Sequence, residues 1–331
     1  MRSVGNSEPW TDFSIGCTES EYDHLISTIN KEIHYNGWFT PENVRMSIGA
    51  LGEWLTEDKL TEWANDRHRE EGKNILIIMA GNIPLVGFHD LLTVLISGNK
   101  AMCKMSSDDR RLLPAFATIL LNFNPDWKER IQFVHGSAKG FDAVIATGSD
   151  NSAKYFEQYF GQYPHIFRKN RTSIAVLNGN ESEDELKELG NDIFQYFGLG
   201  CRNVNHLMFP EGYKLDTFFE GIFPHGEVIN NNKYGNNYDY NKAIYLMNKI
   251  PLLDNNFVLL RESQDLFSPI SVLHYQFYRT EQDVEQFLGN HTSDIQVVVG
   301  SKYEAFGKAQ CPSLFDYADG IDSYDWLMNL D

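Results

Sequence analysis

The run from Asn74 to Ala80 constrains the fold of this chain more than any other stretch. It reads Asn-Ile-Leu-Ile-Ile-Met-Ala, a continuous apolar sequence typical of a strand that is covered on both faces. Gly81-Asn82-Ile83-Pro84 follows as a turn, and the apolar residues from Val86 to Ile96 are spaced as in a helix. Because a strand, a tight turn and a helix begin a βαβ unit, we expect a parallel sheet.

The same alternation continues along the chain. Further strands are predicted over residues 101–104, 131–134, 143–146, 173–177 and 206–209, and helices over 108–121, 151–160 and 182–196. This pattern predicts an α/β fold with a doubly wound parallel sheet, in which ligands bind at the carboxyl ends of the strands. Asn82, Lys104 and the turn Thr147 to Ser149 follow three of these ends, so they are candidate ligand-binding residues by position.

The remaining regions carry weaker signals. We expect helices over residues 19–32 and 41–67, a surface loop over the Asn- and Tyr-rich residues 229–241, a strand pair near 271–278, a helix over 281–288 and a strand over 295–299. The last three elements continue the α/β pattern.

The stretch from Phe197 to Val204 places one cysteine, Cys201, between a predicted helix and a predicted strand, close after the glycines Gly198 and Gly200. Glycines at this point let backbone N–H groups approach a reacting carbonyl, which suits a thiolate nucleophile with an oxyanion site beside it. The other interpretation is a buried cysteine that packs as a small hydrophobic residue after a glycine helix stop. Local sequence leaves both interpretations open.

Composition excludes several classes of function. The chain has 28 Lys and Arg against 46 Asp and Glu residues, a net charge of −18, which disfavours binding to nucleic acid or to anionic lipid. No apolar run approaches the roughly 18 residues of a membrane span, and no signal-peptide pattern is present, so we expect a cytoplasmic protein. The four cysteines have no CxxC spacing and no accompanying histidine cluster, which indicates neither a disulfide framework nor a metal site.

Several motifs, taken in order, resemble the aldehyde dehydrogenase superfamily, and within it the LuxC-type acyl-CoA reductases, or fatty-acid reductases. The motifs are Gly81 to Asp90, Ser97 to Lys100, Lys104 to Ser107, Ala146 to Ser149, Arg168 to Leu177, the cysteine stretch, Asp265 to Pro269 and Phe315 to Gly320. The resemblance implies a doubly wound parallel sheet for the cofactor and a second α/β catalytic domain. It assigns residues 1–178 to an N-terminal region and the cofactor domain, 179–300 to the catalytic domain with the cysteine, and 301–331 to a segment that returns to the cofactor domain.

The resemblance also implies roles for individual residues. Cys201 matches the nucleophile of the superfamily, and Asn82 matches the asparagine that helps to hold the oxyanion. Lys104 and Ser106 match the Lys-Pro-Ser element that meets the adenosine ribose of the cofactor, with Met105 in place of the proline.

Two further motifs are implied to contact the cofactor. Thr147, Gly148 and Ser149 match the turn near the cofactor pyrophosphate. Asp265 matches the acid that binds the nicotinamide ribose, and Phe267 matches the ring beside the nicotinamide. By resemblance the cofactor is NADPH, with NADH left open.

One departure from the family pattern concerns the product. Hydrolytic aldehyde dehydrogenases carry Glu-Leu-Gly-Gly where this chain is aligned with Val176, and the glutamate activates water. With Val176 in that place, an acyl-enzyme is expected to survive until it meets hydride or coenzyme A.

Other polar residues have two interpretations each. His89 is either a proton carrier or a packing residue, and His206 either lowers the pKa of Cys201 as a cation or points elsewhere. The basic cluster Arg168, Lys169 and Arg171 is either a solvated strand entrance or a phosphate contact. Cys17, Cys103 and Cys311 are interpreted as structural.

The function implied is NAD(P)H-dependent reduction of an acyl-CoA, or of an acyl-carrier thioester, to an aldehyde through an acyl-cysteine. The alternatives are a non-catalytic scaffold or binding subunit with the same fold, and an acyltransferase to a partner thiol. A partner enzyme that receives the aldehyde, a homo-oligomeric state and the acyl chain length are left open.

Overall fold

The computed structural model describes residues 1–13, 16–64 and 67–330. The chain forms two compact units. The first unit contains Met1–Asn170 and Ser313–Asp331, and the second unit contains Arg171–Pro312.

The first unit is built on a five-stranded sheet with the order β3-β2-β1-β4-β5, in which every neighbouring pair is parallel. Its strands are β1 (Asn74–Ile78), β2 (Lys100–Lys104), β3 (Ile131–Phe133), β4 (Ala143–Thr147) and β5 (His165–Arg168). Its helices are α1 (Arg2–Gly5), α2 (Glu19–Lys31), α3 (Pro41–Trp54), α4 (Glu57–Ala64), α5 (Phe88–Ile96), α6 (Leu112–Phe123), α7 (Asp150–Phe160) and α12 (Ser323–Met328).

The central strand β1 confirms the argument from sequence. Ile75, Leu76 and Ile77 are all fully buried, because helices cover both faces of a parallel sheet. The strand order reverses between β1 and β4, since β2 and β3 lie on one side of β1 whereas β4 and β5 lie on the other. In sheets of this kind such a reversal opens a crevice at the carboxyl ends of the strands.

The second unit is built on a six-stranded sheet with the order β11-β6-β7-β10-β9-β8, parallel except for the pair β8 and β9. Its strands are β6 (Thr172–Val176), β7 (Val204–Pro210), β8 (Leu253–Asp254), β9 (Leu259–Glu262), β10 (Val272–Tyr278) and β11 (Ile295–Gly300). Its helices are α8 (Glu183–Phe194), α9 (Leu215–Ile222), α10 (Asn232–Met247) and α11 (Glu281–Asn290).

Helix α8 begins where the sequence predicts. The Ser182 hydroxyl accepts a hydrogen bond from the N–H of Glu185, and the Glu185 carboxylate accepts one from the N–H of Ser182 at 2.8 Å. This reciprocal pair satisfies two backbone donors that the first turn of a helix leaves free. It fixes the start of the helix that leads to Cys201.

The prediction of a surface loop over residues 229–241 is wrong. Most of that stretch belongs to α10, whose N-terminus is capped by the side chain of Asn231. Three tyrosines and one asparagine of this helix, Tyr234, Tyr238, Asn241 and Tyr245, recur at spacings of three and four and are buried. Burial of that face stabilises a helix that composition alone disfavours.

Two other predicted elements have different bounds. The helix predicted over 41–67 is two helices, α3 and α4, and residues 65 and 66 lie outside the described part of the chain. The helix predicted over 108–121 is α6, which begins at Leu112. Asp108 and Asp109 therefore precede the helix and do not belong to its first turn.

None of the helices among the described residues is long and apolar enough to cross a membrane.

Candidate active site

The carboxyl edge of the first unit's sheet brings together the predicted ligand-binding residues of that unit. Ile78, the last residue of β1, pairs with Lys104 on β2 and with Ala146 on β4. The segments that carry Asn82, Ser106 and Ser149 leave the sheet directly after these positions. They therefore lie at the point where the strand order reverses.

The turn after β1, which carries Asn82, is held by side chains from two other segments. The hydroxyl of Ser47 donates to the carbonyl of Pro84 at 2.7 Å, and Oδ2 of Asp109 accepts from the N–H of Leu85 at 2.8 Å. Leu85 has a φ of 59°, in the left-handed region that a leucine seldom adopts. Asn82 is exposed on this fixed turn.

Asp109 is the buried acid of this arrangement. Burial raises the pKa of its carboxyl to about 7, because the charged form loses its hydration. The group that holds the Asn82 turn therefore changes charge near neutral pH.

Gly81 lets the β1 turn approach the segment that carries Ser106. A Cβ at Gly81 would lie 2.6 Å from Oγ of Ser106, closer than real Cβ contacts come. Oγ of Ser106 in turn accepts from the N–H of Asp108 at 3.2 Å. A glycine is required here because the backbone of residue 81 packs directly against the side chain of Ser106.

The turn after β4 ends at a helix N-terminus. Ser149 is the N-cap of α7, and its hydroxyl accepts from the N–H of Ser152. The N-terminus of a helix presents free N–H groups and the positive end of the helix dipole, an arrangement that binds phosphate. Together with Lys104 on the next strand but one, this donor set fits the anionic part of a dinucleotide.

His89 is a packing residue in this structure. Its ring lies 5.6, 5.5 and 5.9 Å from the rings of Trp54, Trp63 and Tyr317, and Nε2 lies 3.2 Å from the carbonyl of Leu314. Burial lowers the pKa of the imidazole. Enclosed by aromatic rings and neutral, His89 is poorly suited to carry protons for a substrate.

The basic cluster is largely occupied by structural contacts. Arg168 is buried, and its Nη1 lies 2.5 Å from both carboxylate oxygens of Asp90, which is buried as well. Arg171 donates to the carbonyls of Thr292 and Ile295. These contacts favour a structural role over a phosphate contact for both arginines.

In the second unit, Cys201 lies in a turn immediately before β7. Ser173 pairs with Val204, the first residue of that strand, so Cys201 lies at the amino edge of the sheet. The thiol-bearing residue is exposed, whereas Cys17 and Cys103 are buried. Burial raises the pKa of Cys103 to about 12, which makes that thiol a poor nucleophile.

Exposure alone does not distinguish Cys201, because Cys311 is exposed too. The turn around Cys201 is further held by hydrogen bonds with two side chains, those of Asn203 and Ser173. The N–H of Gly200 donates to Oδ1 of Asn203 at 2.8 Å, and the N–H of Asn203 donates to the carbonyl of Gly200 at 3.0 Å. The carbonyl of Cys201 accepts from the hydroxyl of Ser173 at 3.1 Å. Cys201 therefore lies in a turn whose backbone is fixed on both sides.

The chain reaches this turn through a left-handed segment. Tyr196, Phe197 and Gly198 have φ values of 52°, 59° and 77°, directly after the C-cap residue of α8. For residues with a Cβ, this conformation costs about 1–2 kcal/mol each. Strain of this kind persists only where surrounding contacts compensate for it, and it is concentrated at functional sites.

A second predicted segment of the site lies over the same sheet. Nδ1 of His206 and Nδ1 of His274 lie 3.1 and 2.9 Å from the carbonyl oxygen of Asp265. Since a carbonyl only accepts, both nitrogens carry the proton and donate. Ser268 continues the segment and donates to the carbonyl of Asn205, the second residue of β7, at 3.2 Å. The segment with Asp265 thus lies beside the start of β7.

This contact decides between the two interpretations of His206. Its Nδ1 is bonded to Asp265, and burial lowers its pKa to about 4, so the ring is neutral at physiological pH. His206 is therefore not a cation that activates Cys201. Phe267, two residues after Asp265, is partly exposed at 39%.

The prediction for Val176 is wrong. Val176 is the last residue of β6 and pairs with Met208, near the end of β7, whereas Cys201 precedes the first residue of β7. Its side chain packs against a buried cluster that includes Ile174 and Met208. A residue at this end of the strand does not occupy the place of a base beside Cys201, because the length of β6 separates the two positions.

The sequence pattern of the acyl-CoA reductase (LuxC) family matches residues 47–214, about half of the chain. The chain belongs to the LuxC family of acyl-CoA reductases. It is thus an oxidoreductase that acts on acyl and aldehyde groups, and reduction of acyl-CoA to aldehyde is its general reaction. The matched region contains every site residue named above for the first unit, together with Cys201, but ends before Asp265. No curated protein matches the chain.

Solved structures confirm the fold expected for this reductase. An oxidoreductase from Marinobacter aquaeolei superimposes with a TM-score of 0.63 at 13% identity, over 88% of this chain and 74% of that one. An aldehyde dehydrogenase from Mycobacterium tuberculosis, complexed with NAD⁺, gives 0.61 at 13% identity, over 90% and 72%. Lactaldehyde dehydrogenase from Escherichia coli gives 0.63 at 11% identity, over 90% and 72%. At these identities the likeness shows an aldehyde dehydrogenase fold.

The reductase's predicted residues in the first unit are thus collected at the carboxyl edge of its sheet, whereas in the second unit Cys201 lies at the amino edge and the segment with Asp265 and Phe267 lies over the sheet. The first unit holds Asn82, Lys104, Ser106, Thr147, Gly148 and Ser149, and the second unit holds Cys201, Asp265 and Phe267. Their roles stay predictions. Sequence reasoning missed Ser173 and Asn203, which hold the cysteine turn. Asn203 could have been predicted, because an asparagine shortly after a glycine is typical of a turn.

Proposed function

We propose that this chain reduces an acyl-CoA to an aldehyde through an acyl thioester on Cys201. The observation that carries the proposal is the exposed Cys201 in a turn that Asn203 and Ser173 fix from both sides. A structural cysteine needs neither exposure nor a fixed backbone, whereas a nucleophile that meets a carbonyl needs both.

The chemistry begins with the Cys201 thiolate. Its Sγ adds to the thioester carbonyl, the tetrahedral adduct expels coenzyme A as the thiolate, and the acyl group stays on Sγ. Asn82 is proposed, on the family resemblance, as a donor to the oxygen that becomes negative in this adduct. Its place on a turn held by Ser47 and Asp109 supports that role, because an oxyanion donor must be oriented before the reaction.

We propose that the first unit binds the nicotinamide cofactor. Lys104 and Ser106 would meet the adenosine ribose, and Thr147, Gly148 and Ser149 would lie along the pyrophosphate at the N-terminus of α7. The reversal of strand order at this edge supports the assignment. NADPH is preferred over NADH on resemblance alone.

When bound, the reduced nicotinamide supplies a hydride to the acyl carbon. Asp265 is proposed to bind the nicotinamide ribose, and Phe267 to pack beside the nicotinamide. Asp265 is suited to this because two histidines hold its backbone carbonyl, so that its side chain starts from a fixed position. Cys201 then leaves as the thiolate and the aldehyde is released.

The predicted domain roles are proposed in the same terms. The sequence assigns residues 1–178 and 301–331 to the cofactor and 179–300 to the cysteine chemistry, and we propose these roles for the first and the second unit, whose boundaries lie at Asn170 and Pro312. The substrate is proposed to be an acyl-CoA or an acyl-carrier thioester.

Intact mass spectrometry tests the covalent step. The wild type, Cys201→Ala and the matched control Cys311→Ala are incubated with a medium-chain acyl-CoA and no nicotinamide. We expect one acyl mass on the wild type and on Cys311→Ala, and none on Cys201→Ala. No adduct on any protein across several acyl chains would instead support the scaffold interpretation.

The cofactor is tested separately by thermal unfolding with NADPH and with NADH. A ligand that binds the native state raises Tm. We expect a rise with NADPH that is larger than with NADH, and a smaller rise for Lys104→Ala.

A further inference from the structure

Asn203 connects the end of α8 to the turn that carries Cys201. Its side chain is fully buried. Nδ2 donates to three carbonyls at the end of α8, those of Asp192, Ile193 and Gln195, at 3.1, 3.2 and 2.8 Å. Oδ1 accepts from the N–H of Gly200 at 2.8 Å. Both ends of one amide group are therefore committed, which fixes its orientation.

These contacts replace an ordinary helix end. The last carbonyls of a helix have no partner within the helix and must be satisfied elsewhere. After α8 the chain turns left-handed at Tyr196 and Phe197, and the side chain of Asn203 supplies the missing donors from a position that follows the cysteine. Asn203, which follows the cysteine in the chain, thus makes hydrogen bonds to both ends of the bent segment over residues 195–200.

Asn203 also closes the turn itself. Its N–H donates to the carbonyl of Gly200, and its Oδ1 accepts from the N–H of Gly200. Only Cys201 and Arg202 lie between these two residues. The position of the Cys201 backbone is therefore set by two hydrogen bonds between Gly200 and Asn203.

Two further contacts attach the turn to its surroundings. Ser173 donates to the Cys201 carbonyl at 3.1 Å, and Nη1 of Arg202 donates to the carbonyl of Ala309 at 3.2 Å. The N–H of Ala309 is in turn held by the carboxylate of Asp192 at 3.0 Å, and the carbonyl of Asp192 accepts from Asn203. The turn, the end of α8 and the segment at 309 thus form one closed set of hydrogen bonds.

We infer that Asn203 is the positioning residue for the nucleophile. It does not touch the substrate, and it acts by holding the backbone of Cys201 so that Sγ is aligned with the thioester carbonyl. The inference rests on the proposed function of Cys201. Misplacement of a reacting group by about 1 Å can cost on the order of 100-fold in rate, so loosening this turn is expected to slow acylation strongly.

The test compares two reactions of the same thiol. Acylation by a medium-chain acyl-CoA requires an aligned attack on a bound carbonyl, whereas alkylation by iodoacetamide requires only an accessible thiolate. Both rates are measured by quenched intact mass from pH 6 to 9 in the Cys311→Ala background, which removes the other exposed cysteine of the described chain.

Three variants are compared with that background. Asn203→Asp keeps the acceptor for Gly200 but loses the donors to α8, and Ser173→Ala removes only the bond to the Cys201 carbonyl. Asn205→Ala is the matched control, since its side chain accepts from the Thr172 hydroxyl and makes no hydrogen bond to the turn among the described residues.

We expect acylation by Asn203→Asp to fall roughly 10- to 100-fold, with alkylation and its pH profile within about threefold of the background. Ser173→Ala is expected to lose roughly threefold to tenfold in acylation only, and Asn205→Ala to keep both rates. If Asn203→Asp does not fold, Asn203→Ala takes its place with the same expected loss, because it removes the side-chain bonds of Asn203 without burying a carboxylate.

Acylation and alkylation that fall together, or acylation that stays within threefold in the folded variants, would overturn the inference and leave the proposed function intact. A background protein that forms no acyl adduct would refute the proposed function itself. The two failures are therefore separate results.

Discussion

Replacing Asp90 by leucine removes one partner of a buried ion pair. The side chains of Arg168 and Asp90 are 8% and 5% exposed, and Nη1 of Arg168 lies 2.5 Å from both carboxylate oxygens. Without Asp90 the guanidinium stays buried with no counter-charge. Breaking such a pair costs roughly 3–5 kcal/mol of unfolding free energy. For a unit of this size that is on the order of 10 °C in Tm.

The double variant Asp90→Leu with Arg168→Met removes both charges. It therefore measures the net contribution of the ion pair to the unfolding free energy, without the penalty of one unpaired buried charge. Among the contacts of the described residues, Nε and Nη2 of Arg168 are buried and make no hydrogen bond. An incompletely satisfied pair gains little over apolar side chains of similar volume. We therefore expect the double variant to unfold within about 1 kcal/mol of the wild type or to be more stable.

Tryptophan fluorescence during urea unfolding is the assay, because every tryptophan of the chain lies in the first unit. The six are Trp10, Trp38, Trp54, Trp63, Trp127 and Trp326. The matched control is Asp325→Asn, which breaks the exposed pair of Asp325 with Arg67, whose side chains are 51% and 45% exposed. That change is expected to cost under about 1 kcal/mol.

Two results would refute this reasoning. If Asp90→Leu lowers the unfolding free energy by less than Asp325→Asn does, the pair is not buried in solution. If the double variant loses as much unfolding free energy as the two single variants together, the two residues do not interact. Weaker acyl-CoA or NADPH binding by Arg168→Met, at an unchanged urea midpoint, would make Arg168 a phosphate contact.

Three further predictions follow from the sites. Asn82→Ala should lower kcat for aldehyde formation by roughly 10²–10³, the usual loss of one oxyanion donor, and near-normal steady-state turnover would exclude that role. Iodoacetamide at pH 8 should label Cys201 in the native protein and spare Cys103, since burial raises the pKa of Cys103 to about 12; peptide mass spectrometry reads both. Because burial lowers the pKa of His206 to about 4, its contribution to stability is complete above about pH 6.5 and is lost as the pH falls towards 4. His206→Asn, which still offers a donor to the Asp265 carbonyl, should flatten the fall in Tm followed by circular dichroism over that range, and an unchanged slope would contradict the assignment.

The first unit's sheet is predictable from sequence because its central strand is covered on both faces. Ile75, Leu76 and Ile77 are buried on alternate sides, so the requirement for apolar residues appears as an uninterrupted run in the sequence itself. The turn with Asn82 follows that run directly, which is why its place at the carboxyl edge is also predictable.

Helix α10 shows where composition misleads. The Asn- and Tyr-rich stretch is typical of a surface loop, yet Tyr234, Tyr238 and Tyr245 are buried on one side of a helix. Their spacing of four and seven residues was the better signal. Periodicity reports which face is buried, whereas composition reports only the average polarity.

One part of the cysteine site is predictable from the sequence and another part is not. Cys201 is predictable as a thiol in a glycine-rich turn, but the edge of the sheet on which it lies is not. The assignment of Val176 to a place beside Cys201 is wrong for that reason, since Val176 ends β6 at the opposite edge. The partners of Asn203 are backbone carbonyls, which have no residue type. Every residue has a backbone carbonyl, so the types of the acceptor residues do not indicate this contact.

The first unit is assembled from two separated stretches of chain, which has a consequence for biosynthesis. Arg69 donates through Nη1 to the carbonyls of Leu327, Met328 and Leu330, and Leu327 is fully buried in the same core. A ribosome makes these residues only after the whole second unit. The nascent first unit therefore waits with part of its apolar core uncovered, and the order of completion reverses the N-terminal-first order usual for domains made in sequence.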